Sequence, residues 1–422
     1  MNLDWTRLKA VVIESDDWGL CAWSPDEQAW RALTDTPAFR TPAGRRYGGS
    51  TLESAEDVGA MAALLAEFRG GDGFPPVWQA NTVVAAPDYA KLAPPRFECG
   101  ELPVVTLPAA PERWARPRLW EQVTVARLSG VWWPELHGLT HVPQAAWLAA
   151  LRRGDDDARR AHEHRSPVCR AVEASGEFDA SEPAALRARS LARAVAAFEA
   201  AFGRRPHSFC PPDYRWDEGV EAEAERLGVT TLQGRAEQAG GRLARLRRAL
   251  RARVWPQRRG ARFYMPARIA FEPVGAAHGA RVGVAAALAG ARAAWAAGRP
   301  AVVSSHRVNY VHLDAARAAA GRAALRDLLA GLAREGAVFL VDREVRELQE
   351  RAWSVREIGA RGALVRYHGV PRAPIRFPAP PGAGAVAVRE GRDGAGVQVA
   401  LAGGAVEARL LHGEYLLEWR AA

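Results

Sequence analysis

The stretch Ala10-Val-Val-Ile-Glu-Ser-Asp-Asp-Trp-Gly19 decides how this chain is read. A short β-branched apolar run bounded by polar residues favours a buried strand over a helix, so residues 11–13 are predicted to form one. The run ends in Asp16 and Asp17. In a parallel sheet or barrel the C-terminal strand ends face the functional rim, so two acids placed there point into a site. Successive side chains on a strand face opposite ways, but at the strand-to-loop turn both can converge on one point. Carboxylates with different neighbours can then do different work, one ionised on a metal and one accepting a proton. A solvated Asp-Asp turn before Gly19 is the competing reading, and the downstream sequence weighs against it.

Beyond this strand, Ser54-Ala-Glu-Asp57 is a capping box opening a helix that runs to about residue 68. Residues 77–85 are predicted as a second strand, interrupted by Gln79 and Asn81, and 104–107 and 126–132 as shorter ones. The Pro-rich segment 87–122 is an excursion over the rim. Helices are expected over 181–202 (Ser181-Glu-Pro as its cap), 217–227, 282–297, 314–334 and 344–353. Strands are expected over 208–210, 229–232, 301–305 and 338–341. This alternation implies right-handed crossovers and parallel strands, hence an α/β barrel or layered sheet over residues 1–353. From 354 to 422 the pattern changes to short alternating runs (363–367, 385–389, 397–401, 415–419) between Gly and Pro. That spacing indicates a small antiparallel β-sandwich.

The chain has 422 residues, 48% hydrophobic and 25% charged, which is ordinary globular composition and enough for a sizeable core. Its formal charge of +9 comes from arginines scattered through Ala/Arg-rich helices. Residues 242–253 and 258–262 form a basic stretch that could meet an anionic partner, but no nucleic-acid partner is expected. No apolar run reaches the ~18 residues of a membrane helix, and residues 1–9 hold no signal-like segment, so a cytoplasmic location is expected. Cys21, Cys99, Cys169 and Cys210 stand far apart, without a CxxC pair, so neither a disulfide framework nor a zinc knuckle is indicated. Oligomeric state is not legible. Fifteen tryptophans are many, and several adjoin the polar clusters. Aromatic faces beside carboxylates and histidines suit sugar clefts, although core packing explains most Trp equally well.

His137-Gly-Leu-Thr-His141 places two imidazoles four apart, which on a helical turn share a face. With an Asp from another strand end they make the three-ligand set that leaves a catalytic metal one open position. Two imidazoles and a carboxylate suit Zn²⁺, or a harder divalent ion. His306 follows Val302-Val-Ser-Ser305 at a further strand end, where its pKa suits proton donation to a leaving group. In Phe209-Cys-Pro-Pro-Asp-Tyr-Arg-Trp216 two prolines fix the backbone, which suits presenting an N–H to a developing oxyanion.

The order of these elements over residues 8–345 resembles the metal-dependent polysaccharide deacetylase family, whose catalytic domain is a distorted (β/α) barrel. That resemblance implies Asp16 as catalytic base, Asp17, His137 and His141 as metal ligands, and His306 as general acid. It also implies the backbone N–H of Asp213 or Tyr214 as oxyanion donor. Departures are Gly138, where the family has Ser or Thr; Cys210, where it has the arginine that positions the base; and Val303-Ser-Ser in place of its Leu-x-His. Arg215, Arg268 or Arg307 could substitute for that arginine. The acid that tunes the general-acid histidine is not evident over 229–235. Trp18, Asn81, Trp132 and Trp133 are expected substrate contacts. The implied activity is removal of an N-acetyl or other acyl group from an amino sugar or glycan precursor in surface polysaccharide synthesis. The alternatives are a metal-dependent hydrolase acting on another C–N or glycosidic bond, and a non-catalytic carbohydrate-binding protein that keeps the fold.

Overall fold

A computed structural model describes residues 3–94, 97–234, 254–274, 282–359, 362–391 and 397–421. The basic stretch 242–253 lies outside them. The first strand runs from Ala10 to Trp18, well past residue 13, because it has partners on both edges along its length. On one edge it pairs in parallel with Ala301–His306, from Val11 opposite Ala301 to Asp16 opposite His306. On the other it pairs with Val338–Leu340 at its start, and with Trp78–Thr82 from Ile13 onward.

The sheet continues in parallel through Trp132–Leu136, Ser208–Phe209, Thr231–Leu232 and Arg262–Tyr264. Gln257–Arg259 ends it antiparallel at one edge, and Ile269–Ala270 flanks Ala301–His306 at the other. Among the described residues these two edges do not pair, so the expected barrel is a curled, open sheet with helices between its strands. Buried on both faces, the strands read as apolar runs whose side chains join Trp18, Trp78, Trp132 and the aliphatic faces of the helices in one large core. The parallel register brings Asp16, Thr82, Leu136, Phe209 and His306 to one rim.

Several elements differ from the sequence expectation for local reasons. Residues 77–85 divide into Trp78–Thr82 and Ala85–Pro87, and the latter pairs antiparallel with Val104–Thr106 within the rim excursion. Residues 126–132 are not a strand: the helix Leu119–Leu128 runs into a turn at Gly130 (φ +80°), and the strand starts only at Trp132. Ser181 does not cap the long helix, which begins at Ala184; its hydroxyl pairs with Ser175. The Ser54–Asp57 capping box is present.

The last part of the chain forms two antiparallel sheets. One orders Trp353–Ile358, Gly362–Tyr367, Gly413–Ala421 and Ala383–Gly391; the other orders Pro374–Pro378, Ala405–Arg409 and Gln398–Ala402. Val365, Tyr367, Leu417, Ile375, Phe377 and Val406 share one core between them, a small sandwich. The strands at 353–358, 374–378 and 405–409 lie outside the runs the sequence marks, two of them being rich in charge or proline. Arg366 ties this sandwich to the helix Asp342–Arg351 and to the turn at Asp72 through buried ion pairs with Glu344 and Asp72.

Candidate metal and acid–base site

Between Ser15 and Trp18 the register of the first strand slips by one residue against Trp78–Thr82. Asp16 and Asp17 occupy this bulge, and Asp17 takes φ +74°. A bulge re-aims side chains, which is how two neighbours that would alternate across the sheet reach the same rim. The turn beyond is fixed by Gly19 (φ +74°), where a Cβ would lie 2.4 Å from the Val83 carbonyl oxygen. Gly19 N–H donates to Glu53, which in turn pairs with Arg307.

Asp17 Oδ1 lies 3.4 Å from His137 Nε2 and 3.7 Å from His141 Nε2. Donor atoms around one tetrahedral ion, each about 2.0–2.1 Å from it, stand roughly 3.3–3.4 Å apart, so this set fits a divalent cation. His137 Nδ1 sits 2.8 Å from the Cys210 carbonyl, which can only accept, so the proton is on Nδ1 and the Nε2 lone pair is free for the ion. Burial opposes ionisation of Asp17, but His137, His306 and His141 outweigh it and hold the carboxyl far below its ordinary range. Asp16, His137 and Cys210 are also close enough to share an ion. Asp16 is committed to other partners, however, and burial pushes the Cys210 thiol up, against the thiolate a metal needs.

The two histidines do not lie on a helical turn. Gly138 (φ +87°) and His141 (φ +63°) fold the segment into a loop. Its shape is set by buried Glu177, which accepts the N–H groups of Leu139 (3.1 Å), Thr140 (3.2 Å) and His141 (2.8 Å) and the Ser190 hydroxyl. A Cβ at Gly138 would stand 2.6 Å from Glu177 Oε2 and 2.9 Å from Pro212 Cγ. Glycine and the carboxylate therefore go together: the first makes room for the second.

Arg268 supplies the guanidinium for Asp16. Its Nη1 lies 2.6 Å from Asp16 Oδ2 and its Nη2 3.3 Å from Cys210 Sγ, so the head group arrives from the residue just before the strand Ile269–Ala270, at the place where the family resemblance expects an arginine. It also binds Glu14, the Tyr214 hydroxyl and Gln233. Asn81 Nδ2 donates to Asp16 Oδ1 at 2.6 Å and pairs with Gln233. Burial opposes a charge on Asp16, but Arg268, His137 and His306 prevail and keep it ionised. Opposite it, His306 Nε2 stands 3.9 Å from Asp16 Oδ2, and His306 Nδ1 is bound by Glu272. Burial lowers the His306 pKa, but Glu272, with Asp17 and Asp16, overrides it and raises it to about 9. Glu272 is itself held by Arg46 and Asn309.

Other expected residues fall elsewhere. Trp18, Trp132 and Trp133 are core residues, 1%, 3% and 7% exposed. Trp18 packs edge-on against Trp132 and bonds Ser15, while Trp133 bonds Glu135 beneath Arg204. None reaches the cleft; Trp23 and Tyr47, stacked at 5.7 Å, line it instead. Asn81 orients Asp16, which leaves it no free face for substrate. Arg307 is fully buried against Glu53 and the Leu20 carbonyl. Arg215 binds the Ala174 carbonyl and stands near Asp179 at the rim. Tyr214 N–H already donates to the Pro211 carbonyl at 3.2 Å, which leaves the Asp213 N–H as the oxyanion candidate. Asp213 and Tyr214 both take positive φ (55° and 52°). With Asp17 and His141, four non-glycine site residues are thus held in a sparsely populated backbone region, a pattern concentrated at functional sites.

No protein-family model matches the chain, and no curated protein does. Among solved structures it is similar to a putative polysaccharide deacetylase from Mycobacterium smegmatis (14% identity, 82% of this chain and 93% of that one, TM-score 0.39). It is also similar to Agd3, described as a novel carbohydrate deacetylase (9% identity, 98% and 65%, TM-score 0.42). A third is BA3943 from Bacillus anthracis, described as a CE4 family pseudoenzyme (10% identity, 80% and 65%, TM-score 0.34). Likenesses this distant say nothing about activity, so the functional reading rests on the side chains above.

Proposed function

We propose that the protein is a metal-dependent hydrolase that removes an N-acyl group from an amino sugar or glycan precursor. One observation carries this reading. Asp17, His137 and His141 converge as a three-donor set in the same cleft as an ionised Asp16 and a Glu272-bound His306. Asp17, His137 and His141 would hold a divalent ion, Zn²⁺ by donor type, which when bound supplies an acidified water and a polarised carbonyl.

The remaining work falls to the chain. Asp16, kept ionised by Arg268 and oriented by Asn81, accepts the water proton. The Asp213 N–H is the donor offered to the oxygen that gains charge as the carbonyl is attacked; one such donor typically changes the rate ~10²–10³-fold. His306, protonated at neutral pH because of Glu272, donates from Nε2 to the departing nitrogen. Two titratable groups pushed to opposite protonation states across 3.9 Å are the signature of an acid–base pair. The C–N bond breaks, and carboxylate and free amine leave.

The test is release of acid and amine from N-acylated glucosamine oligomers by the metal-loaded protein. Release by the parent, absent in Asp16→Asn and His306→Ala, is expected. Metal-loaded protein that binds these oligomers without cleaving them would instead mark a carbohydrate-binding protein.

A further inference from the structure

Two tyrosines line the cleft, and their hydroxyls differ. That of Tyr214 is bound by Arg268. That of Tyr47 has no hydrogen-bond partner among the described residues, although its ring is firmly held. Tyr47 ends the helix Pro42–Tyr47, stacks on Trp23 at 5.7 Å and stands with its ring centre 4.9 Å from the Arg46 guanidinium. It meets the His306 imidazole at 6.1 Å, nearly perpendicular at 78°. Trp23 in turn packs on the buried cluster of Leu20, Ala22, Leu33 and Phe39 and takes φ +67°, which bulky side chains rarely adopt. Ser24 ties the two segments together: its N–H donates to the Ser50 carbonyl at 3.2 Å and its hydroxyl to the Gly48 carbonyl at 2.7 Å. Backbone strain kept in order to seat a ring beside reacting groups is the pattern of a functional position.

Position decides which part of a substrate Tyr47 meets. Arg46 pairs with Glu272, and Glu272 binds His306 Nδ1, so the Tyr47 ring stands on the flank of the acid. The departing nitrogen comes to the remaining Nε2 of that imidazole. The oxygen that gains charge is served elsewhere, by the Asp213 N–H, on a residue whose Oδ2 lies 3.9 Å from His141 Nδ1. Burial, with Glu272, Asp17 and Asp16 nearby, outweighs Arg46 and pushes the Tyr47 phenol well above its ordinary range, so it donates a hydrogen bond and does not act as a base. On an amino sugar, the polar group next to the acylated nitrogen is the hydroxyl of the adjoining carbon. Resting on the hydrolase reading above, we infer that Tyr47 is a specificity residue whose hydroxyl donates to that neighbouring sugar hydroxyl. The substrate class it selects is a sugar bearing an acylamino group and a hydroxyl on adjacent carbons. A substrate without the hydroxyl would leave a cleft donor unpaired, which costs more than the missing bond alone.

The experiment is kcat/KM of metal-loaded parent and Tyr47→Phe on the methyl glycoside of N-acetylglucosamine and on its analogue lacking the neighbouring hydroxyl, followed by amine release, with metal content measured for each protein. The parent should prefer the hydroxylated glycoside roughly tenfold. Tyr47→Phe keeps the ring and its contacts, and should lose that preference by slowing on the hydroxylated glycoside alone. Equal slowing on both glycosides would place the hydroxyl on a group the two share, and an unchanged preference would leave Tyr47 out of recognition. Either result overturns the inference and leaves the hydrolase reading standing. No amine from either glycoside, with metal demonstrably bound, removes both.

Discussion

Arg268 Nη1 lies 2.6 Å from Asp16 Oδ2, although the two residues are 252 positions apart in the chain. The same guanidinium binds the fully buried Glu14. That cation keeps Asp16 ionised and holds the proposed proton acceptor in place, whereas burial, with Asp342 and Asp16 nearby, pushes the Glu14 carboxyl well above its usual range despite Arg268.

Removing that cation should be costly twice. Arg268→Ala leaves the buried, ionised Asp16 without its cation, and losing one member of a buried pair typically costs about 3–5 kcal/mol. Arg268→Lys should keep more stability yet still lose activity, because an ammonium cannot bridge Asp16 and Gln233 as a planar fork does. Thermal melts and amide-hydrolysis rates of the two variants separate these effects. A fully active Arg268→Lys would count against the assignment.

Glu177 organises the His137–His141 loop without belonging to the candidate donor set of Asp17, His137 and His141. Glu177→Gln should weaken divalent-metal affinity by roughly 10–100-fold, as outer partners of metal ligands typically do. Gly138→Ala should do likewise, since its Cβ would collide with Glu177 and the residue sits at φ +87°. Competition with a chromogenic chelator measures both, and melting of the metal-free proteins checks that the fold survives.

The Glu272–His306 pair sets a pH window. The His306 pKa is raised to about 9 in the folded protein, against about 6.5 when unfolded. The stabilisation is therefore fully present below about pH 6.5 and is lost as pH rises through about 9. Glu272→Gln should move the titration of the His306 ring protons, followed by NMR in the metal-free protein, down by one unit or more. It should also leave Arg46 and Asn309 less well paired. An unchanged titration would mean that Glu272 does not tune the acid.

Arg366, fully buried in the sandwich, pairs with Glu344 of the helix Asp342–Arg351 and with Asp72 in the turn before Trp78–Thr82. Arg366→Met should destabilise the protein by about 3–5 kcal/mol, because buried Asp72 loses its cation and Glu344 keeps only Arg356. Chemical denaturation of parent and variant reads this directly. A shift below about 1 kcal/mol would show that the acids are solvated or re-paired.

What the sequence reveals of this site depends on whether the signal is local. Asp16, Asp17, His137 and His306 each end an apolar run, so their arrival at one rim follows from the parallel register and is legible. Arg268 and Glu272 are different: each acts on a residue across a neighbouring strand, and nothing nearby marks either one. Arg268 could be named as one of three candidates, but choosing it took the fold. Glu272 lies well past residues 229–235 and belongs to no motif, so nothing in the sequence ties it to His306. The tryptophans misled for the opposite reason. Trp18, Trp132 and Trp133 adjoin site residues in sequence, yet strand alternation turns them into the core, while Trp23 reaches the cleft from the following loop. The four-residue spacing of His137 and His141 suggested a helix, but Gly138 allows a loop that brings both rings to Asp17.

The central claim is a divalent ion held by Asp17, His137 and His141, and metal content at known protein concentration tests it most directly. The parent, reconstituted with Zn²⁺ and desalted, should carry close to one equivalent, and Asp17→Ala and His141→Ala should carry almost none while still folding. A parent that stays metal-free, or variants that keep as much metal as the parent, would contradict the account.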